Sequence, residues 1–116
     1  MTRLWRVLFW SAAAFAFVMA VLPHPPEVPG NPSDKLQHIA AFACLAALGA
    51  LAYRQTPARM LVLGLSAFGA LIETVQLIPG LHRDAEVLDW LADTAAAAAV
   101  AYAVHLWRRT RAGGAG

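Results

Sequence analysis

Charge is what this chain lacks. Only 14% of its 116 residues are Asp, Glu, Lys or Arg, against 59% that are hydrophobic. A soluble domain carries about 25% charged residues, so the composition excludes an ordinary water-facing surface and points to lipid. Cysteine is almost absent. Cys44 stands alone, which excludes an internal disulfide and leaves it as a small packing residue in an apolar run. No serine nucleophile elbow, Cys/His pair or zinc-type ligand spacing is present. There is no internal repeat, and low complexity is confined to the alanine run at 95–99 and a Gly/Ala tail at 112–116, expected to be disordered.

What the chain does have is four apolar stretches, residues 4–22, 36–53, 60–78 and 88–107. Each holds about 18–20 residues, which at 1.5 Å per residue matches a hydrocarbon core of about 30 Å. The expected fold is an all-α integral membrane protein, one domain over residues 1–116 built as a four-transmembrane-helix bundle. Arg3 and Arg6 precede the first stretch as they would in a signal peptide. Its end, Val21-Leu22-Pro23-His24, lacks a clean small-x-small cleavage site, so a retained helix is expected.

Seven of the nine basic residues fall in alternate segments: Arg3 and Arg6, Arg54 and Arg59, then Arg108, Arg109 and Arg111. The positive-inside rule puts both termini and the 54–59 turn in the cytoplasm. Topology and anionic lipid explain these clusters without a nucleic-acid partner. Segment 23–35, with five of the seven prolines, then becomes a stiff, extended outer loop. Ser33 or Asp34 should cap the second helix, with Gln37 completing a capping box. Thr56 should cap the third, with Pro57 at its first position, and Pro79-Gly80 should stop it. The alanines of the fourth stretch suit close packing within the bundle. Trp5, Trp10, Trp90, Tyr102 and Trp107 are placed for an interfacial aromatic belt.

Against that background the acids stand out. Asp34 heads the second stretch, Glu73 lies inside the third, and Asp89 and Asp93 open the fourth. A carboxylate at the bilayer centre costs about 2.5–3.5 kcal/mol, so such groups tend to face a protein interior and mark function. Helical spacing puts Asp34 and His38 on one face, Glu73 and Gln76 on another with Ser66 and Gly69 behind them, and Asp89 with Asp93 on a third. All are expected within about 5–10 Å of the outer surface. Arg83 is the natural bidentate counter-ion for Glu73 or Asp89. The local balance, Asp34, Glu73, Asp84, Glu86, Asp89 and Asp93 against Lys35 and Arg83, is acidic.

Three segments carry a family resemblance. Asp34-Lys35-Leu36-Gln37-His38-Ile39-Ala40-Ala41-Phe42 resembles the D-K-x-x-H-x-x-x-F motif of the VanZ-like family, Glu73-Thr74-Val75-Gln76 its E-x-x-Q motif, and Arg83 to Asp89 its R-x5-D motif. The resemblance covers nearly the whole chain in the right order. It implies a small multi-pass protein of the bacterial plasma membrane, in a family whose founding member is linked to low-level teicoplanin resistance. The family's site positions fall on Asp34, Lys35, His38, Glu73, Gln76, Arg83 and Asp89. Where the family has Asn followed by glycines, this chain has Asp93 followed by alanines.

Two functional readings follow. In the first, an outward-facing polar pocket binds a lipid head group or lipid-linked cell-wall precursor. Arg83 and Lys35 would contact phosphate there, while Glu73, Gln76 and Asp89 bond hydroxyls or amides, and Asp34, His38 and Asp93 complete the set. In the second, the site is enzymatic: Glu73 or Asp89 is general base, His38 its partner, and Arg83 stabilises charge. No cofactor is implied, and the spacing selects no metal. Plainer roles stand beside these. Asp34 can be a simple N-cap, Lys35 a snorkelling boundary residue, Gln76 interhelical glue, and Arg83–Asp89 a structural ion pair. The apolar inner halves of the helices argue against a transport path through a monomer.

Overall fold

The computed structural model describes residues 2–21, 34–78 and 87–115. These form four helices, α1 (Thr2–Val21), α2 (Asp34–Ala52), α3 (Ala58–Gln76) and α4 (Val87–Ala115). There is no strand among the described residues. Three helices are long and apolar enough to cross a membrane, Thr2–Val21, Ala58–Gln76 and Val87–Arg111; the apolar part of α2, Leu36–Ala52, is shorter. The Pro-rich loop up to Ser33 and the Pro79-Gly80 stop lie outside the described residues, as do the side chains of the capping box at Asp34.

Two helix ends differ from expectation. The N-cap of α3 is Pro57 rather than Thr56, in extended conformation (φ −60°, ψ 146°) and without a side-chain cap bond. Its carbonyl accepts from Met60 N at 3.0 Å and Leu61 N at 3.2 Å, so the ring's fixed φ serves the residue that opens the helix from just outside it. In place of a disordered tail at 112–115, α4 continues through Ala115. Propagating a long helix by one more residue costs little, because the nucleus already exists.

Side-chain contacts give the helix directions. Arg6 near the start of α1 reaches Ala52 at the end of α2, so these two helices are antiparallel. His38 near the start of α2 lies by Asp93 near the start of α4, and Arg108 far along α4 bonds Ala50, so α2 and α4 run parallel. Trp90 of α4 bonds Ser66 of α3, and Gln76 at the end of α3 bonds Ala20 at the end of α1. The core follows from small residues. Ala46 on α2 and Ala97 and Ala101 on α4 are essentially fully buried, with Phe42, Leu45, Leu65 and Ile72 around them. Within the alanine run 95–99, Ala97 is buried, Ala96 and Ala98 are half-buried, and Ala95 and Ala99 face out. The outward faces are strongly apolar, with Phe15 68% and Leu63 63% exposed. A surface of that kind fits hydrocarbon rather than water.

One end of the bundle is closed by arginines. The last carbonyls of a helix have no intrahelical donor and carry the negative pole of its dipole. At α2, Arg6 Nε donates to Ala52 O at 3.3 Å and Arg108 Nη1 to Ala50 O at 2.6 Å. Tyr53 completes the closure: its ring lies 4.7 Å beneath the Arg6 guanidinium, and its hydroxyl accepts from Trp10 Nε1 at 2.7 Å.

Gly49 sets how closely α1 and α3 approach α2, because a Cβ there would lie 2.7 Å from Leu61 Cδ1 and 3.0 Å from Phe9 Cε1. Gly49→Val is therefore expected to lower stability by about 1–3 kcal/mol. At Gly64 a Cβ would meet nothing within 4 Å, and Gly64→Val should change stability by less than about 0.5 kcal/mol. Unfolding midpoints in detergent micelles, compared for both variants, check the pair.

Candidate functional site

At the other end the polar residues gather on α4. Trp90 and Thr94, one turn apart, grip the same residue of α3: Trp90 Nε1 donates to Ser66 O at 2.9 Å, and Thr94 Oγ1 to Ser66 Oγ at 3.2 Å. Gly69 permits this, since a Cβ there would stand 3.1 Å from Trp90 Cδ1. The missing side chain at Gly69 lets the ring of half-buried Trp90 turn toward α3.

Asp93 lies between those two residues and is 3% exposed. Its Oδ2 is 3.7 Å from His38 Nδ1 on α2, longer than a hydrogen bond but close enough for attraction across a low-dielectric gap. Its Oδ1 is buried without a hydrogen-bond partner. Asp93 is level with Ser66, ten residues before Gln76 on α3, which is about 15 Å along that helix. On the other two helices it lies close to an end: His38 is the fifth residue of α2 and Asp93 the seventh of α4, because α4 packs against α3 in antiparallel register through Trp90 and Thr94. Asp89, one turn earlier, is half-buried.

The stripe Ser66, Gly69, Glu73, Gln76 serves two neighbours instead of one. Ser66 and Glu73 face α4. Gln76, 3% exposed, turns to α1 and donates Nε2 to Ala20 O at 2.8 Å, while its Oε1 is buried without a hydrogen-bond partner. Gln76 is thus the interhelical tie weighed for it from sequence, and it leaves the acid-lined side. Its position 60° further round the helix from Glu73 is enough to send the two side chains into different interfaces, at about 100° per residue. Glu73 instead borders a groove of about 270 Å³ between α3 and α4, walled by Ala70, Glu73, Thr74, Leu77, Val87 and Trp90. The walls are mainly apolar, and Thr74 turns its hydroxyl back to Ala70 O at 2.8 Å. Among these wall residues Glu73 is the carboxylate.

The structure therefore joins His38 with Asp93 and sets Glu73 on the same helix pair as Trp90. Asp34 and Lys35 occupy the first turn of α2, with side chains outside the described residues; Arg83, Asp84 and Glu86 lie outside them altogether, and with them the Arg83 pairing expected for Glu73 or Asp89. Among the described residues no three His, Cys, Asp or Glu side chains converge to hold a metal ion. Trp90 and Thr94 were not legible as site residues. Their one signal is a shared face with Asp89 and Asp93 one residue away. No known protein family, characterised protein or solved structure matches this chain.

A buried carboxylate oxygen with no partner weakens a bundle rather than holding it. Asp93→Ala is expected to leave the unfolding midpoint in micelles unchanged or higher, since the remaining imidazole can stay neutral and no charge is stranded. A fall of more than about 2 kcal/mol would show that Asp93 is there for packing.

Proposed function

We propose that the chain is a VanZ-like protein of the bacterial plasma membrane, with four spanning helices, both termini cytoplasmic, and an acid-rich outer end that binds a lipid head group or lipid-linked cell-wall precursor. The observation that carries this reading is Asp93, buried beside His38 with one oxygen unmatched. A carboxylate within a spanning helix costs up to about 2.5–3.5 kcal/mol at the bilayer centre, and one left with an unmatched oxygen supports a ligand. The groove at Glu73 supports an amphiphile, since its apolar walls suit a chain and its carboxylate suits a hydroxyl or amide donor. The apolar part of α2, 17 residues long, reaches the lower end of the spanning range, about 17–25 residues. The arginine-closed end supports the cytoplasmic assignment. A role in glycopeptide susceptibility rests on the motif resemblance alone.

The His38–Asp93 pair also favours a second reading, acid–base chemistry on the same ligand. A carboxylate that orients an imidazole is a recurrent base assembly. Native mass spectrometry of the protein in gentle detergent separates the readings. The wild type should retain a defined lipid or precursor mass. Glu73→Gln and Asp93→Ala should each lower its occupancy at least about tenfold, the equivalent of about 1.4 kcal/mol. An enzyme would instead show full retention in Asp93→Ala and loss of turnover of the bound molecule. A wild type that carries no specific mass would end the head-group reading.

A further inference from the structure

We propose that the arginine end of the bundle is a docking collar for anionic phospholipid head groups, formed by Arg3, Arg54, Arg59, Arg109 and Arg111. The structure divides seven arginines into two sets. Arg6 and Arg108 are engaged with the carbonyls of α2, at 3.3 and 2.6 Å. The other five are exposed, as is Arg6 apart from its bond to α2. No acidic residue occurs in segments 1–26, 35–72 or 94–116, so the acids of α3 and α4 lie toward the far ends of those helices and no carboxylate is close along the chain to any of these five charges. Their charge suits an external anion.

The kind of anion follows from their neighbours. The five are spread over α1, the α2–α3 turn with the first turn of α3, and the end of α4, which makes a band around the bundle and not one face. Large apolar side chains stand within a turn of them: Leu4 is 53% exposed, Val7 55%, Met60 51% and Leu106 58%. Trp107 is 53% exposed with the Arg111 guanidinium 5.2 Å over its ring, the arrangement of an amphipathic ring at a headgroup boundary. A nucleic acid or acidic protein would meet the charges and leave the apolar residues uncovered. A phospholipid covers both, with phosphate at the guanidinium and chain along the helix. The α4 helix adds reach, since Arg109 and Arg111 follow the residue that is tied to Ala50 and so project past the end of α2.

This inference rests on the membrane reading but not on the site at the other end. Its test is tryptophan quenching in vesicles of the full chain, using brominated phosphatidylglycerol against brominated phosphatidylcholine. Trp5, Trp10 and Trp107 lie toward the arginine end and report local lipid. The wild type should associate with the anionic lipid several-fold more strongly, and salt should reduce that preference. Arg59→Gln, Arg109→Gln and Arg111→Gln combined should bring the ratio near one, each change contributing up to roughly fivefold. The matching Lys variants should retain it. Arg108→Met should lower the unfolding midpoint and leave the ratio intact. Equal quenching by both lipids in the wild type, or an unaltered ratio in the triple variant, overturns the collar while leaving the membrane reading in place. Quenching by neither lipid overturns both. Equal quenching combined with binding of heparin, a soluble polyanion, assigns the arginines to a soluble partner and also overturns the proposal.

Discussion

Close approach of backbones at a few small residues is the constraint on which the rest of this bundle depends. Ala46, Ala97 and Ala101 are buried almost completely, and Gly49 and Gly69 lie where a Cβ would press on neighbouring side chains. In hydrocarbon there is no hydrophobic gain from bringing apolar helices together, so van der Waals contact and interhelical hydrogen bonds must supply the attraction. Small residues allow both. Gly69 admits the Trp90 ring, and that ring's N–H then reaches the Ser66 carbonyl. The contact sets the register of α4 on α3, and the register carries Asp93 beside His38.

The two ends solve the problem of unsatisfied polar groups in opposite ways. At the arginine end every closing interaction couples a cation or ring donor to an acceptor that needs one: Arg6 to Ala52, Arg108 to Ala50, Trp10 to Tyr53. Long guanidinium side chains suit this role because they bury their stems and keep spare donors for the surface. Toward the acidic end two buried acceptors of the described residues are left unmatched. Asp93 Oδ1 and Gln76 Oε1 are buried without a hydrogen-bond partner, and each such group costs free energy in a low-dielectric interior. At the arginine end the carbonyls that close α2 are met by side chains, whereas two buried acceptors toward the other end are not.

That asymmetry bears on chemistry as well as on binding. The imidazole of His38 and the carboxylate of Asp93 come from different helices and meet only because α2 and α4 are parallel. A small relative slide of α4 would separate them, since one turn of helix is about 5.4 Å. Their pairing is held by Trp90 and Thr94 on one side of α4 and by Arg108 further along it. Rigid support of this kind is what a binding or proton-transfer site requires of its surroundings.

The sequence by itself determined the helical class, the apolar spans, the segregation of arginine from acid, and the set of polar residues worth watching. These follow from hydropathy and from the cost of charge in lipid, which act residue by residue and need no knowledge of neighbours. Glu73 and Asp93 were legible for that reason, and so was the choice Gln76 makes between glue and ligand, as an open pair. Tertiary structure alone decided which of these groups meet. Helix register turned Gln76 toward Ala20, tied Trp90 to the Ser66 carbonyl, and brought Asp93 level with Ser66. Helical spacing defines faces, but which face meets which partner, and at what depth, depends on packing between helices. Two residues only 60° apart on one stripe, at about 100° per residue, are divided between two neighbours by a single rotation.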